Sequence, residues 1–134
     1  MIFDVYSKEI RTILEFGVPV WNGGITFSDS AKIEAIQKKA LKIILQDQYG
    51  SYSQACDFFK TETLCERRVN ICLKFAKKEL SKDNSIFTRF IPSRATRFSE
   101  KQIVTETFCN TDRYFRSSIP YLSRLLNSAY NPKM

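Results

Sequence analysis

The sequence predicts an all-α protein: a small helical bundle of three longer helices, followed by an extended basic connector and a short C-terminal helix. Two observations lead there. Apolar residues recur at helical spacing in several separate stretches, and residues that start or stop helices stand at the ends of those stretches. With 134 residues the chain has room for one modest core. The organisation expected is a bundle over residues 1–92, with residues 93–134 forming the connector and a last helix packed on it.

The first helix follows from Phe3, Tyr6, Ile10, Ile13 and Leu14 at helical spacing, with Gly17 and Val18-Pro19 as its stop. Gly17, Pro19 and Gly23 are expected to set turns, and Trp21 to plug the space between helices. The turn signal Asn22-Gly23-Gly24 is followed by Ser28, Asp29 and Ser30, any of which can cap the second helix. In that helix, AKIEAIQKKALKIIL, the residues Ile33, Ile36, Ala40, Ile43 and Ile44 share one face, and Lys38, Lys39 and Lys42 fall opposite. A short helix capped by Ser53 is expected next.

Thr63 and Glu66 stand at capping-box spacing, so the third long helix should begin near Leu64. Cys65, Val69, Cys72, Ala76 and Leu80 would line its core side. Arg67, Lys74 and Lys78 cluster within about 40° of one another on the far side, a basic stripe. Arg68 projects nearer the apolar face and needs a partner from another element if it is buried. Ser85 to Pro92 offers two turns at most, and residues 93–112 show no helical period; Arg94, Arg97 and Lys101 lie in this connector. The closing helix has Ser118 as its cap, Pro120 in its first turn and Leu122, Leu125 and Leu126 as its apolar side, with a frayed tail after it.

Composition removes several function classes. There is no histidine, so the usual general base and the commonest metal ligand are missing. Cys56, Cys65, Cys72 and Cys109 show no close pair of the zinc-site kind. Cys65 and Cys72 would lie about 10 Å apart along one helix, too far to bond. Reduced, structural thiols and no cofactor or metal are therefore expected. No apolar run is long enough to span a bilayer and no secretory leader pattern opens the chain, which points to an intracellular protein, nuclear or cytoplasmic. The net charge of +7 is uneven: residues 1–60 carry seven bases and seven acids, and residues 61–134 carry fourteen against seven. That asymmetry favours a polyanionic partner, nucleic acid ahead of a membrane surface; a basic surface with no partner is the plainer alternative.

The order of four segments is more specific: YSKEIRTILEFGVPVW, IEAIQKKALKIIL, LCERRVNICLKFAKK and RYFRSSIPYLSRLLN. Together they resemble the region after the polymerase core in reverse transcriptases of non-LTR, LINE-type retrotransposons, particularly the Jockey-like group. Members of that group look like IRP-x-LEYG-x-PVW, then a helix of the type IQ-[KR]-[KR]-A-L-[KR]-I-I, an L-x-x-RR helix and a closing R-[YF] segment with S-x-IPY. The resemblance runs from about Tyr6 to Asn127. Thr12 departs from it, standing where the family usually has proline, so the first helix should run on without a kink.

The resemblance implies the thumb and connection of an RNA-directed DNA polymerase, which would clasp RNA or an RNA–DNA template-primer duplex. The Y-x-DD aspartates that hold the polymerase metals are not in this sequence, so no catalysis is expected from the chain alone. Positioning contacts to phosphates are expected from Lys38, Lys39 and Lys42 on the second helix, from Arg67, Lys74 and Lys78 on the third, and from Arg94, Arg97 and Arg113 beyond it. Phe98 beside Arg97 and Tyr114 beside Arg113 have two readings, stacking on unpaired bases or internal packing. A second hypothesis is a helical interaction or structural module, or an element-derived remnant. Its apolar surface around Phe3, Tyr6 and Ile10, covered by a polymerase palm in a parent enzyme, would dock a protein or a second copy.

Overall fold

The computed structural model describes residues 1–91 and 102–130. It is all-α, and the described residues contain no strand. The first helix, α1, begins as Ile2–Val5, widens into a π-helical turn over Tyr6–Ile10 and resumes over Arg11–Leu14. Then come α2 (Val18–Trp21), α3 (Phe27–Leu45), α4 (Tyr52–Phe58), α5 (Leu64–Leu80), α6 (Asp112–Phe115) and α7 (Ser118–Tyr130). Single 3-10 turns stand at Gln46–Gln48 and Thr88–Phe90. The chain divides into two compact units, one of Met1–Val18 with Ile25–Val69, the other of Pro19–Gly24 with Asn70–Met134. The division falls inside α5.

Helix ends follow local chemistry, in places one or two residues from the expected position. Thr26, not a residue of 28–30, caps α3: its hydroxyl accepts from the Asp29 N–H at 3.1 Å and donates to the Asp29 carboxylate at 2.8 Å. Ser51, not Ser53, caps α4, accepting from the Gln54 N–H at 3.2 Å. The capping box at α5 is present in full, with Glu66 N–H donating to Thr63 Oγ1 at 3.2 Å and Thr63 N–H donating to Glu66 Oε2 at 3.2 Å. Ser117 lends its carbonyl to the first turn of α7, which makes it the cap position in place of Ser118. That helix continues to Tyr130, so the segment Ser128–Tyr130 read as frayed is helical.

The first helix does run past Thr12, but not as a regular α-helix. Its π-helical turn loosens the bonding of nearby carbonyls, and the Thr12 hydroxyl donates to Lys8 O at 2.7 Å and Glu9 O at 2.8 Å. Gly17 then ends the run in the left-handed region at φ 66°, which a glycine adopts at least cost.

In the first unit the core gathers Leu41, Ala55 and Cys56, with Phe3, Leu45, Tyr49, Tyr52 and Phe59 packed against them. Phe3 and Phe59 stack at 4.2 Å between ring centres, which ties α1 to the end of α4. The buried side of α3 carries Gln37 and Leu41, about a quarter turn from the isoleucine face expected for it; Ile36 and Ile43 are exposed. The reason is chemical. Gln37 accepts from Tyr6 Oη at 2.8 Å and donates to Tyr52 Oη at 2.9 Å and Glu62 O at 3.1 Å, so a polar side chain fills an interior position with its hydrogen bonds made.

Helix α5 buries Leu64, Arg68, Cys72 and Ala76, while Cys65 is exposed. Arg68 finds the partner that its position requires, donating to Ser30 Oγ of α3 at 2.5 Å. In the second unit Phe87, Val104, Leu122 and Leu126 are fully or almost fully buried. The segment around Val104 is held by Asn127 of α7. Its Oδ1 accepts from the N–H groups of Ile103 and Val104 at 3.0 and 3.2 Å, and its Nδ2 donates to Val104 O at 2.9 Å. All four cysteines are free thiols.

Candidate nucleic-acid interface

The basic residues singled out in the sequence fall into separate sets. On α3, Lys38, Lys39 and Lys42 are all exposed, while Gln37 and Leu41 between them are buried. A helix held this way on one side presents its cations without having to order itself on binding. Lys39 projects farthest from the buried side by helical angle, and Lys38 lies at its edge, with its ammonium 5.1 Å from the centre of the Tyr52 ring.

The start of α5 is set by the same helix. Glu34 of α3 accepts from the Leu64 and Cys65 N–H groups at 3.1 and 3.0 Å and also from the Tyr52 hydroxyl. A carboxylate at a helix N-terminus is stabilised by the unsatisfied N–H groups and the helix dipole. It also occupies the end of α5 with a charge from within the fold. Burial, and then the hydrogen bond to Glu34, push the Tyr52 hydroxyl well above the ordinary tyrosine range. Burial raises Tyr6 to about 12.

Arg67 differs from the lysines. It is half-buried and makes a two-point ion pair with Glu15 of α1, at 2.5 Å from Nε and 3.1 Å from an NH2 group. That bond raises its affinity for the proton further, and it ties α5 to the last turn of α1. Its charge therefore serves the first unit internally, an arrangement that helical angle alone could not reveal. In the second unit Lys74 and Lys78 of α5 are exposed, and so is Arg113 on α6. Arg94 and Arg97, with Phe98 and Lys101, lie outside the described residues.

Arg124 is not among the basic residues that the sequence singled out. Arg124 of α7 lies with its guanidinium 3.7 Å from the centre of the Phe115 ring and donates to Phe115 O at 2.9 Å. Nine residues separate the two, and no local spacing rule connects them. Among the described residues no cluster of three or more His, Cys, Asp or Glu side chains could hold a metal, and no helix is long and apolar enough to cross a membrane.

Comparison with known proteins found no matching family model, no matching curated protein and no matching solved structure.

Proposed function

We propose that the chain is a nucleic-acid-binding module of the thumb-and-connection kind, holding RNA or an RNA–DNA duplex by its phosphates and leaving catalysis to a polymerase core. The observation that carries this reading is the lysine face of α3: Lys38, Lys39 and Lys42 are exposed on a helix whose other side is fixed by Gln37 and Leu41. Lys74 and Lys78 add exposed charge on α5. The order of the four motifs and the net charge of +7 support the same partner. Such contacts position a backbone and do not read bases. The reading puts the protein inside the cell, in nucleus or cytoplasm, beside the palm of a parent reverse transcriptase.

The test is fluorescence anisotropy of a labelled RNA–DNA hybrid duplex over a range of salt. If about four lysines neutralise phosphates, log K falls with log salt at a slope near −3 to −4. Replacing Lys38, Lys39, Lys42, Lys74 and Lys78 together by Ala should flatten that slope and weaken binding. Arg67 is left in place, since removing it would leave the half-buried Glu15 carboxylate without its cation. A folded chain that shows no salt-dependent binding ends this reading.

A second reading has its own observation. On α1 and the turn after it, Ile13 is 75% exposed and Phe16 83% exposed, with Ile2, Val5 and Ile10 also exposed. Of the apolar surface expected around Phe3, Tyr6 and Ile10, only Ile10 is exposed, because Tyr6 is buried on Gln37 and Phe3 is stacked on Phe59. Such a strip suits a palm surface or a second copy of the chain. Sedimentation of the wild type against Ile13→Asp distinguishes the two: a concentration-dependent mass that disappears in the variant supports self-association, and a monomer in both excludes it.

A further inference from the structure

The geometry points to a stacking site for unpaired nucleotides on α6 and the middle of α7, built from Tyr114, Phe115, Arg113 and Arg124. This rests on the nucleic-acid reading and extends it from phosphate contacts on a duplex to base contacts on a single strand. The rings come first. Tyr114 and Phe115 are neighbours on a four-residue helix and remain 43% and 47% exposed, in a unit that buries Phe87 completely. Two adjacent aromatic rings thus present part of their faces to solvent on one short helix.

The second element is a guanidinium already in place. Arg124 lies close enough over Phe115 to bring its central carbon within 3.7 Å of the ring centre, and its hydrogen bond to Phe115 O fixes that position. The charge around the rings is favourable for an anion. Residues 112–124 carry Arg113, Arg116 and Arg124 against one acid, Asp112, which is itself paired with Arg116 at 3.1 Å.

The platform is also braced from beneath. A Cβ on Gly23 would stand 2.7 Å from Arg116 O and from Tyr121, so the Asn22-Gly23 turn is seated directly on the junction between α6 and α7. Asn22 Nδ2 donates to Tyr121 Oη at 3.0 Å. Thr111 caps α6 through the Tyr114 N–H at 3.2 Å. These bonds fix the backbone from which the two rings project, so little chain ordering is left for binding to supply.

Paired bases keep their faces inside the helical stack, and a duplex offers nothing to these rings except at an end. An unpaired nucleotide offers both a flat π-face for Tyr114 and a phosphate for Arg113, while Arg124 already covers Phe115. The occupant is therefore single-stranded nucleic acid, such as the template beyond a duplex.

The experiment compares a labelled oligouridine of about 10 nucleotides with an abasic phosphodiester strand of equal length, at one salt concentration. The oligouridine should bind at least about fivefold more tightly. Tyr114→Ala should remove that advantage while leaving abasic-strand binding unchanged, and Tyr114→Trp should retain it. Equal binding of both strands, unaffected by Tyr114→Ala, overturns the stacking site and leaves the phosphate reading standing. Failure of the duplex and of both strands to bind a folded chain removes both. A Tyr114→Ala variant that changes self-association but not oligouridine binding also overturns the proposal, because the face would then be a protein contact.

Discussion

Gln37 and Asn127 show how much single polar side chains decide here. Each is buried, and each makes three or more hydrogen bonds to groups far away in sequence. Asn127→Ala should destabilise the chain by about 2–4 kcal/mol, because it leaves backbone groups of Ile103 and Val104 without partners inside the fold. Chemical denaturation with far-UV circular dichroism measures this, and a change below about 0.5 kcal/mol would contradict it. Tyr6 makes a pH prediction. Its folded-state value near 12 lies above the unfolded value of 10, so the unfolded chain releases its proton first as pH rises. The stabilisation is complete below pH 10 and is lost as pH climbs through 12, and Tyr52 acts in the same direction. The denaturation midpoint should therefore fall between about pH 10 and pH 12, less steeply in Tyr6→Phe. Equal slopes in both proteins would refute the assignment.

At the scale of the element, caps and turns carry the predictions. Gln46 ends α3 at φ 48° and ψ −116°, a conformation that an L side chain resists and glycine tolerates. Gln46→Gly should raise stability by about 0.5–1 kcal/mol, read from the thermal midpoint; a decrease would mean that the side chain contributes more than the strain removes. Glu34 governs a different helix from its own, since its carboxylate serves the first N–H groups of α5 and the Tyr52 hydroxyl. Glu34→Ala should cost about 2–3 kcal/mol, more than removal of an ordinary cap at about 1 kcal/mol. Amide exchange localises the effect: faster exchange at Leu64 and Cys65 is expected, and unchanged exchange there would show that the capping is dispensable.

For the whole molecule, the proposed nucleic-acid binding predicts how the salt dependence is shared among the charged faces. Lys38, Lys39 and Lys42 belong to the first unit, and Lys74 and Lys78 to the second. Replacing either set by Ala should reduce the salt slope by about 0.9 for each phosphate no longer neutralised, with the two reductions adding. If one set carries the entire slope, the clasp lies on one unit alone.

The capping box at Thr63 and Glu66, the glycine stop at Gly17 and the long runs of α3, α5 and α7 could be read from the sequence because they depend on neighbours within a turn or two. The lysines of α3 were legible as a group for the same reason, and their exposure follows from their spacing around one helix. The direction in which a helix faces was not legible. Four isoleucines mark one side of α3, yet Gln37 lies inside, because Tyr6, Tyr52 and Glu62 O meet there. Arg67 looked like a surface cation until Glu15 arrived beside it, and Arg124 gained its role only when α7 folded back onto Phe115. The sequence was enough for the longer helices, the capping box at Thr63 and Glu66 and the basic character, since propensity, capping and net charge are local or additive quantities. Which polar groups are satisfied inside and which cations are drawn into internal pairs was settled by the fold, because hydrogen bonds and ion pairs between distant residues exist only once the chain has brought them together.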